Sequence, residues 1–274
     1  MDRKIKIGSL INARDLHGLK NKNGYTIKKD KLYRSDALCR ISLNDLERLE
    51  KEKNLKTIID FRGKDELNGN ALDPINDDIK HYYLPVNEGI RNRGTRPHKD
   101  HCNNKDLDGM INFFYYLDEK GDVTYATEKM YKEFVTTPIA LTNFSKFLDL
   151  VLNNDGLLIY HCSDGKDRTG IATMLILSIL DYDLDTIFYD YLLTNENVKE
   201  KAIKRRKMLI DGGINNEILL HSSDIMAGVL KNWLEAGIKE IDLRYNSINN
   251  FITNELHFDK NKQELLKEKY LIKE

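Results

Sequence analysis

The sequence predicts an α/β fold in which a mainly parallel sheet is flanked by helices on both faces. Short apolar runs rich in β-branched residues, such as LKTIIDF at 55–61 and GLLIY at 156–160, alternate with longer runs of helical periodicity. This alternation is typical of parallel strands joined by crossover helices. With 274 residues, 41% of them hydrophobic, the chain can bury the core of such a fold, and we expect one domain over 1–274.

The first third of the chain mixes short strands and turns with one clear helix. That helix lies in SLNDLERLEKEKN, and Ser42 or Asn44 is its candidate N-cap. It precedes the buried strand predicted at 55–61. HYYLPV at 81–86 predicts a further strand that ends near its proline.

Residues 88–137 are predicted to be a helical, lid-like insertion that runs over the surface. The segment is polar except for the apolar island MINFFYYL, and it ends in the helical pattern ATEKMYKEF. Phe113, Phe114, Tyr115 and Tyr116 either cap a pocket or belong to the core.

The second half of the chain is predicted to be helical apart from GLLIY. A helix at 139–153 leads into that strand, and the helix beginning near Arg168 is apolar almost all round, which indicates burial. Residues 183–274 form a helical part packed on the core, with breaks at Gly212–Gly213 and at Gly237.

Charge and hydropathy exclude several classes of function. The 43 basic and 44 acidic residues leave a net charge of -1, so overall charge favours neither nucleic acid nor an anionic membrane as partner. The run KEKAIKRRK at 199–207 is interpreted as a solvated helix face, with transient contact with anionic lipid as the alternative. The apolar run at 170–180 is shorter than the roughly 20 residues that span a bilayer. We expect a cytoplasmic protein, with a secreted mature form as the alternative.

The cysteines predict neither a disulfide framework nor a metal site. Cys39, Cys102 and Cys162 are widely spaced and include no CxxC pair. A protective Cys39–Cys162 disulfide under oxidation is a minor alternative. No metal and no cofactor are expected, because the one cluster of potential ligands lacks the spacing of zinc sites: His98, Asp100, His101 and Cys102.

The stretch HCSDGKDRTG at 161–170 is the candidate site. It joins the strand GLLIY to the buried helix, so it lies at the carboxyl edge of the sheet, where open α/β folds bind ligands. Free N–H groups at the start of the helix attract anions, and Gly165 and Gly170 are expected to let the backbone approach one closely. The predicted phosphate-binding residues are Ser163, Asp164, Gly165, Lys166, Asp167 and Arg168.

Four side chains of this stretch have predicted chemical roles. The field that holds a phosphate also favours a thiolate, so Cys162 is the candidate nucleophile. Arg168 offers a planar fork for two phosphate oxygens. Thr169 donates a hydrogen bond to the sulfur, and His161 orients the loop by bonding to the backbone.

HCSDGKDRTG resembles the signature H-C-x5-R-[ST] of the cysteine-dependent protein tyrosine phosphatase superfamily, and more narrowly that of the bacterial atypical tyrosine and lipid phosphatases. Three other segments are similar to that family: NARDLHGLKNKNGYTIKKDKLYRSDAL, TIIDFRGKDE and YDYLLTNEN. The resemblance implies a tyrosine-phosphatase-like fold and links Lys166 to substrate phosphates of inositol lipids. Asp164 and His17 depart from the family pattern. Asp164 either weakens binding of highly phosphorylated ligands or acts as an orienting acceptor.

The general acid has several candidates, since no W-P-D tripeptide is present. Asp167 is the first candidate, Asp60 the second, and Glu88 and other carboxylates of the insertion follow. For Asp60 a buried ion pair with Arg62 is an equally good interpretation. Three residues of the N-terminal motif are interpreted as scaffold: Asn12, Arg14 and Asp15.

The predicted function is metal-independent hydrolysis of phosphomonoesters through a phosphocysteine. The resemblance implies phosphotyrosine proteins as substrates, with phosphoserine, phosphothreonine and phosphoinositides as further classes. The alternatives are a phosphatase of soluble inositol phosphates, a catalytically silent phosphate-binding module and a sulfur transferase. The oligomeric state is left open.

Overall fold

Five strands form the central sheet, in the order β1-β3-β6-β4-β5. The computed structural model describes residues 3–5, 7–8, 10–67, 71–74, 77–87 and 123–273. β3, β6, β4 and β5 run parallel, and β1 is antiparallel to β3, which confirms the predicted mainly parallel sheet. The strands are β1 (Arg14–Asp15), β2 (Tyr25–Ile27), β3 (Leu32–Ser35), β4 (Leu55–Asp60), β5 (Lys80–Tyr83), β6 (Leu157–His161) and β7 (Leu271–Lys273).

Helices surround this sheet. In chain order they are α1 (Leu43–Lys53), α2 (Val123–Glu133), α3 (Pro138–Asn153), α4 (Asp167–Ile179), α5 (Leu184–Asp211), α6 (Glu217–Ala227), α7 (Lys231–Tyr245) and α8 (Lys260–Tyr270). Short helical turns cover Leu38–Arg40, Lys64–Glu66, Ile248–Asn250 and Phe251–Glu255. No helix in the described part of the chain is long and apolar enough to cross a bilayer.

Alternate residues of β6 are buried on opposite faces of the sheet. Leu158 and Tyr160 belong to the larger core cluster, which includes side chains of α3 and α4. Leu157 and Ile159 point the other way and join a second cluster with α1. This alternation follows from the period of two along a strand. The expected coverage of both faces is therefore confirmed.

The parallel register brings four strand ends to one edge. Ser35 of β3 and Asp60 of β4 both lie opposite His161 of β6, and Tyr83 of β5 lies opposite Asp60. The connections that follow these strands therefore meet beside the stretch that begins at Cys162.

Several local predictions are confirmed and two are wrong. Ser42 caps α1 by accepting a hydrogen bond from the Asp45 amide, and α5 ends at Asp211 with Gly212 as its C-cap. Gly237 does not break a helix. It lies inside α7, whose neighbouring residues Leu234, Ile238 and Ile241 are buried in the main core. Nor is the chain helical throughout after Arg168, since β7 pairs with β2.

The insertion predicted at 88–137 is described only in its last part. Residues 88–122, with Glu88, the aromatic island and the His98–Cys102 ligand group, lie outside the described residues. Residues 123–137 do not fit a surface lid: Tyr131, Phe134 and Val135 are buried in the main core. This end of the segment packs beside α7, because its apolar side chains complete the core next to α4.

Candidate active site

Each backbone carbonyl of residues 162–165, in the loop after β6, accepts a hydrogen bond from a donor that lies outside these four residues. The Ala37 amide donates to Ser163 O at 3.2 Å. Asn12 Nδ2 donates to Asp164 O at 3.1 Å and to Gly165 O at 3.0 Å. His161 Nδ1 lies 3.1 Å from Cys162 O and must be the donor there, because a carbonyl oxygen only accepts.

This arrangement aims the amide N–H groups inward. In a trans peptide the C=O and the following N–H point in opposite directions, and the described residues contain no cis bond. The N–H groups of residues 163–166 therefore face away from the groups that hold the carbonyls, toward the interior of the loop. No described residue accepts a hydrogen bond from them. Converging free amides form an anion-binding nest.

Glycine is required at one of the two predicted positions for a reason of packing. Gly165 has φ +64°, and a Cβ there would lie 2.3 Å from Ser35 O at the end of β3. Only glycine lets the loop approach that strand end so closely. The expectation that Gly170 faces an anion is wrong. A Cβ there would lie 3.0 Å from the Tyr191 ring, so Gly170 serves the packing of α4 on α5.

Cys162 lies at the base of the nest with Thr169 beside it. The cysteine is 2% exposed, and the Thr169 hydroxyl donates a hydrogen bond to Sγ at 3.3 Å. Thr169 is itself fully buried in the first turn of α4. The sulfur therefore has a fixed partner of the type that the sequence analysis expected.

The guanidinium of Arg168 is bound at its NH1 and NH2 ends by Glu66, a residue to which the sequence analysis assigned no role. Its NH1 and NH2 donate to Glu66 Oε2 and Oε1 at 2.5 and 2.9 Å. The Ser163 hydroxyl and the Gly63 amide also donate to this carboxylate. No described residue accepts a hydrogen bond from Arg168 Nε, so the side of the fork that carries Nε is left for a ligand.

The site fixes the charge of Glu66. Burial alone raises the pKa of Glu66, but hydrogen bonds and charge from Arg168, with help from Ser163, outweigh burial and lower it to about 2. The same pairing raises the pKa of Arg168 despite its burial. Both groups are therefore ionised near neutral pH, and the glutamate holds the guanidinium in one orientation.

Asp167 is held by a pair of buried tyrosines. The Tyr131 hydroxyl donates to Asp167 Oδ1 at 2.8 Å and lies 2.6 Å from the Tyr191 hydroxyl. Burial, together with the nearby Asp167 charge, raises the pKa of both tyrosines well above the usual value, so both remain protonated donors. Asp167 keeps 17% of its side chain exposed, which leaves it access to a ligand.

The side chains of Lys166 and Asp164 bind groups outside the nest. Lys166 Nζ donates to Met226 O and Gly228 O at 2.6 and 3.1 Å, at the end of α6. Its ammonium is therefore buried, and two of its three N–H groups are bound by carbonyl oxygens in this conformation. Asp164 pairs with Lys201 of α5, and the Lys201 and Lys166 charges overcome burial to lower its pKa to about 2. This pairing fits the orienting role among the two alternatives for Asp164.

Asp60 lies in a buried ion network rather than in the nest. It is fully buried, and Arg62 donates to both of its carboxylate oxygens through Nε at 3.0 Å. Arg62 also pairs with Asp73 at 3.0 Å, and Asp73 lies 2.9 Å from His161 Nε2. The bracing interpretation of Asp60 and Arg62 therefore has direct geometric support.

His161 is cationic in this network. Burial lowers its pKa, but the charges of Asp60 and Asp73 outweigh burial and raise it to about 9. Its two ring nitrogens face Cys162 O and Asp73, which are both acceptors, so both nitrogens carry protons.

The same network is a potential metal ligand set that side chains already neutralise. Potential ligand atoms of Asp60, Asp73, His81 and His161 lie within 4.8 Å of one another. Arg62 pairs with both carboxylates, and His161 supplies a second positive charge. The cluster is therefore an ion network in which the carboxylates of Asp60 and Asp73 are balanced by the positive charges of Arg62 and His161.

The structure brings together most of the side chains that the sequence analysis selected. Cys162, Arg168, Thr169 and Asp167 line or adjoin the nest, and His161 holds it from below. Asn12 and Arg14 are buried scaffold residues, as interpreted. Sequence reasoning missed Glu66, Asp73 and Tyr131. Glu66 could have been found from the sequence, because it lies in the segment TIIDFRGKDE, which resembles the family. No sequence pattern marked Asp73 or Tyr131.

The chain is similar to known phosphatases over most of its length. A model of the tyrosine phosphatase family matches residues 5–272. A Cupriavidus necator protein provisionally named a tyrosine-protein phosphatase is 26% identical over 266 residues, which cover 93% of this chain and 85% of the relative. The triple specificity protein phosphatase PtpB of Mycobacterium tuberculosis is 29% identical over 135 residues, about half of each chain (47% and 48%).

Proposed function

The chain belongs to the tyrosine phosphatase family, and we propose that this phosphoester hydrolase acts through a phosphocysteine formed on Cys162. The single observation that carries the proposal is the nest itself. Four amide N–H groups that find no acceptor among the described residues, one buried thiol and the Nε of Arg168 all belong to residues 162–168 at the sheet edge. This is the donor set that stabilises a phosphoryl group in its transition state.

The reaction has two steps. The Cys162 thiolate attacks phosphorus in line, the bond from phosphorus to the leaving oxygen breaks, and Asp167 gives its proton to that oxygen. Water then attacks the phosphocysteine, Asp167 takes one proton from the water, and sulfur leaves as thiolate. Inorganic phosphate is released and the enzyme returns to its starting state. Arg168 holds two equatorial oxygens in both steps, and Thr169 stabilises the departing sulfur.

We propose Asp167 as the general acid because it lies at the start of α4 and remains partly exposed. Asp60 is the weaker candidate, since both of its oxygens are bound by Arg62 and it has no exposed surface.

The substrates that we propose are phosphotyrosine in proteins and, beside it, phosphoserine, phosphothreonine and phosphoinositides. The name of the similar protein PtpB, triple specificity protein phosphatase, supports a broad range of substrates. A role of Lys166 with inositol phosphates would use the N–H that Met226 O and Gly228 O leave over, or would require the ammonium to leave one of these carbonyls. The runner-up is a phosphatase of soluble inositol phosphates.

Replacement of the nucleophile tests the mechanism. Cys162→Ser is expected to abolish hydrolysis of p-nitrophenyl phosphate while tungstate, a tetrahedral dianion, still binds, because backbone amides form most of the nest. Trapped phosphocysteine in wild-type protein, seen by rapid quench and mass spectrometry, is the positive sign. Hydrolysis at the wild-type rate by Cys162→Ser removes Cys162 from the mechanism.

A leaving-group comparison tests the acid. Asp167→Asn is expected to slow phenyl phosphate, a poor leaving group, about 100-fold more than p-nitrophenyl phosphate, since general acid catalysis contributes roughly 10²–10⁴-fold. Asp60→Asn is the matched variant and is expected to slow both substrates alike. The opposite pattern transfers the role to Asp60.

A substrate panel separates the proposed classes. Phosphopeptides with each of the three phosphorylated residues, phosphoinositide vesicles and soluble inositol phosphates are compared by kcat/KM at equal concentration. Preference for phosphotyrosine peptide supports the proposal, whereas turnover restricted to inositol phosphates favours the runner-up. Thiosulfate turnover without phosphate release favours the sulfur-transferase alternative.

A further inference from the structure

Two motifs far from the loop in sequence meet behind it. Asn12, from NARDL, and Arg34, from KLYRS, both donate to Gly165 O, at 3.0 and 2.8 Å. Asn12 also donates to Asp164 O. Both side chains are fully buried, so the loop carbonyls have no competing contact with water at these points.

A third motif, YDYLLTNEN, anchors these donors on α5. Arg34 NH1 donates to Asp190 Oδ2 at 2.5 Å, so one guanidinium joins α5 to the loop. Asp190 and Asn197 are seven residues apart on α5 and therefore share one helix face. From that face Asn197 Nδ2 donates to Asn12 Oδ1 at 3.1 Å.

The orientation of the Asn12 amide group is determined by its partners. Its Oδ1 accepts from Arg14 NH1 at 2.7 Å and from Asn197 Nδ2. Its Nδ2 must then face the carbonyl oxygens of Asp164 and Gly165, which only accept. Asn12 is thus held from one side and holds the loop from the other.

The consequence concerns two of the four nest amides. The peptide planes that contain Asp164 O and Gly165 O also contain the N–H groups of Gly165 and Lys166. When the oxygens are tied to Asn12 and Arg34, those two N–H groups point into the nest. The N–H groups of Ser163 and Asp164 belong to planes held by His161 and by the Ala37 amide instead.

We propose that Asn12 and Arg34, anchored on Asp190, are positioning residues that aim the Gly165 and Lys166 amides at the bound phosphate. This inference rests on the proposed function. It assigns a task to motifs that otherwise remain scaffold, because a nest with two misdirected donors loses part of its hold on the transition state.

The experiment compares Asn12→Ala and Arg34→Gln with the control Arg3→Gln. Arg3 NH2 also pairs with Asp190, at 2.8 Å, but among the described residues it contacts no part of the loop. The probe is tungstate, whose binding needs the nest but no catalysis. We expect its dissociation constant to rise about 10- to 100-fold in both test variants and less than twofold in the control. kcat for p-nitrophenyl phosphate should fall by a similar factor.

Amide NMR gives a readout that loss of stability does not imitate. In wild-type protein, tungstate is expected to shift the amide resonances of residues 163–166. In Asn12→Ala the shifts of Gly165 and Lys166 should shrink, while those of Ser163 and Asp164 persist as an internal control. Asn12→Ala also serves if Arg34→Gln fails to fold.

The outcomes separate the two proposals. Wild-type turnover and tungstate affinity in Asn12→Ala overturn the positioning role and leave the proposed function standing. Losses that follow melting temperature equally in all three variants also overturn it. If wild-type protein neither hydrolyses p-nitrophenyl phosphate nor binds tungstate, both proposals are wrong.

Discussion

Arg168 and Glu66 form a two-point ion pair at the edge of the nest, with nitrogen–oxygen distances of 2.5 and 2.9 Å. The pair holds the NH1 and NH2 ends of the guanidinium and leaves Nε free of partners among the described residues. A two-point pair fixes the plane of the fork, which a single contact does not. In the proposed mechanism Glu66 is therefore a positioning residue that acts through Arg168.

Glu66→Gln is expected to lower kcat/KM for p-nitrophenyl phosphate about 10- to 100-fold. The amide keeps the shape of the side chain but loses the charge and one acceptor, so the guanidinium can rotate out of line. Steady-state kinetics measure the change. Lys64→Gln, in the same helical turn, is the control and should stay near the wild-type rate. An unchanged kcat/KM in Glu66→Gln contradicts the role.

The same carboxylate predicts a loss of stability in acid. Its pKa is about 2 in the folded protein against 4.5 as the ordinary value, so its contribution is present above pH 4.5 and disappears as pH falls toward 2. The contribution amounts to about 3 kcal/mol. Urea unfolding at several pH values should show the wild-type advantage over Glu66→Gln shrinking across this range. A constant difference between the two proteins contradicts the assignment.

His161 predicts the opposite dependence at alkaline pH. Its folded pKa is about 9 against 6.5 as the ordinary value, so the imidazolium stabilises the protein fully below pH 6.5. That stabilisation, about 3 kcal/mol, is lost as pH rises toward 9. Nitrogen-15 NMR of the imidazole should show both ring nitrogens protonated at pH 7, with a midpoint near 9. A neutral ring at pH 7 disproves the ion network as described.

Tyr131→Phe is expected to impair acid catalysis without removing the acid. The variant loses the 2.8 Å hydrogen bond that orients Asp167 but keeps the buried ring. Hydrolysis of phenyl phosphate should slow roughly 10-fold more than that of p-nitrophenyl phosphate. Tyr160→Phe is the matched control, since the Tyr160 hydroxyl pairs with Thr173. Equal slowing of both substrates by Tyr131→Phe speaks against this positioning.

Two glycines should respond in opposite ways to alanine. Gly165→Ala is expected to abolish activity and lower stability, because φ is +64° and the new Cβ would meet Ser35 O at 2.3 Å. Gly237→Ala adds a methyl group at ordinary contact distance, 3.4 Å or more, inside α7. It should raise the free energy of unfolding by about 0.5–1 kcal/mol, since alanine favours the helix. Thermal melts and activity assays compare both with wild type.

The order of elements around the site could be predicted from sequence because each depends on local patterns. The run GLLIY predicts β6 by its apolar, branched residues, and the apolar stretch after Arg168 predicts the buried helix α4. The loop between them must then lie at the sheet edge. Gly237 shows the limit of such patterns. Glycine weakens a helix by about 1 kcal/mol, but burial of its helix neighbours Leu234, Ile238 and Ile241 in the core outweighs that.

The sequence by itself determined that a cysteine, an arginine and free amides share one loop, since ten consecutive residues carry them all. Only the tertiary structure decided what orients them. Glu66 follows β4, Asn12 precedes β1 and Asp190 lies on α5, so each reaches the loop through folding rather than through neighbourhood in the chain. Hydrogen bonds and ion pairs between such distant residues depend on the register of parallel strands and on helix packing, and no local sequence pattern encodes either.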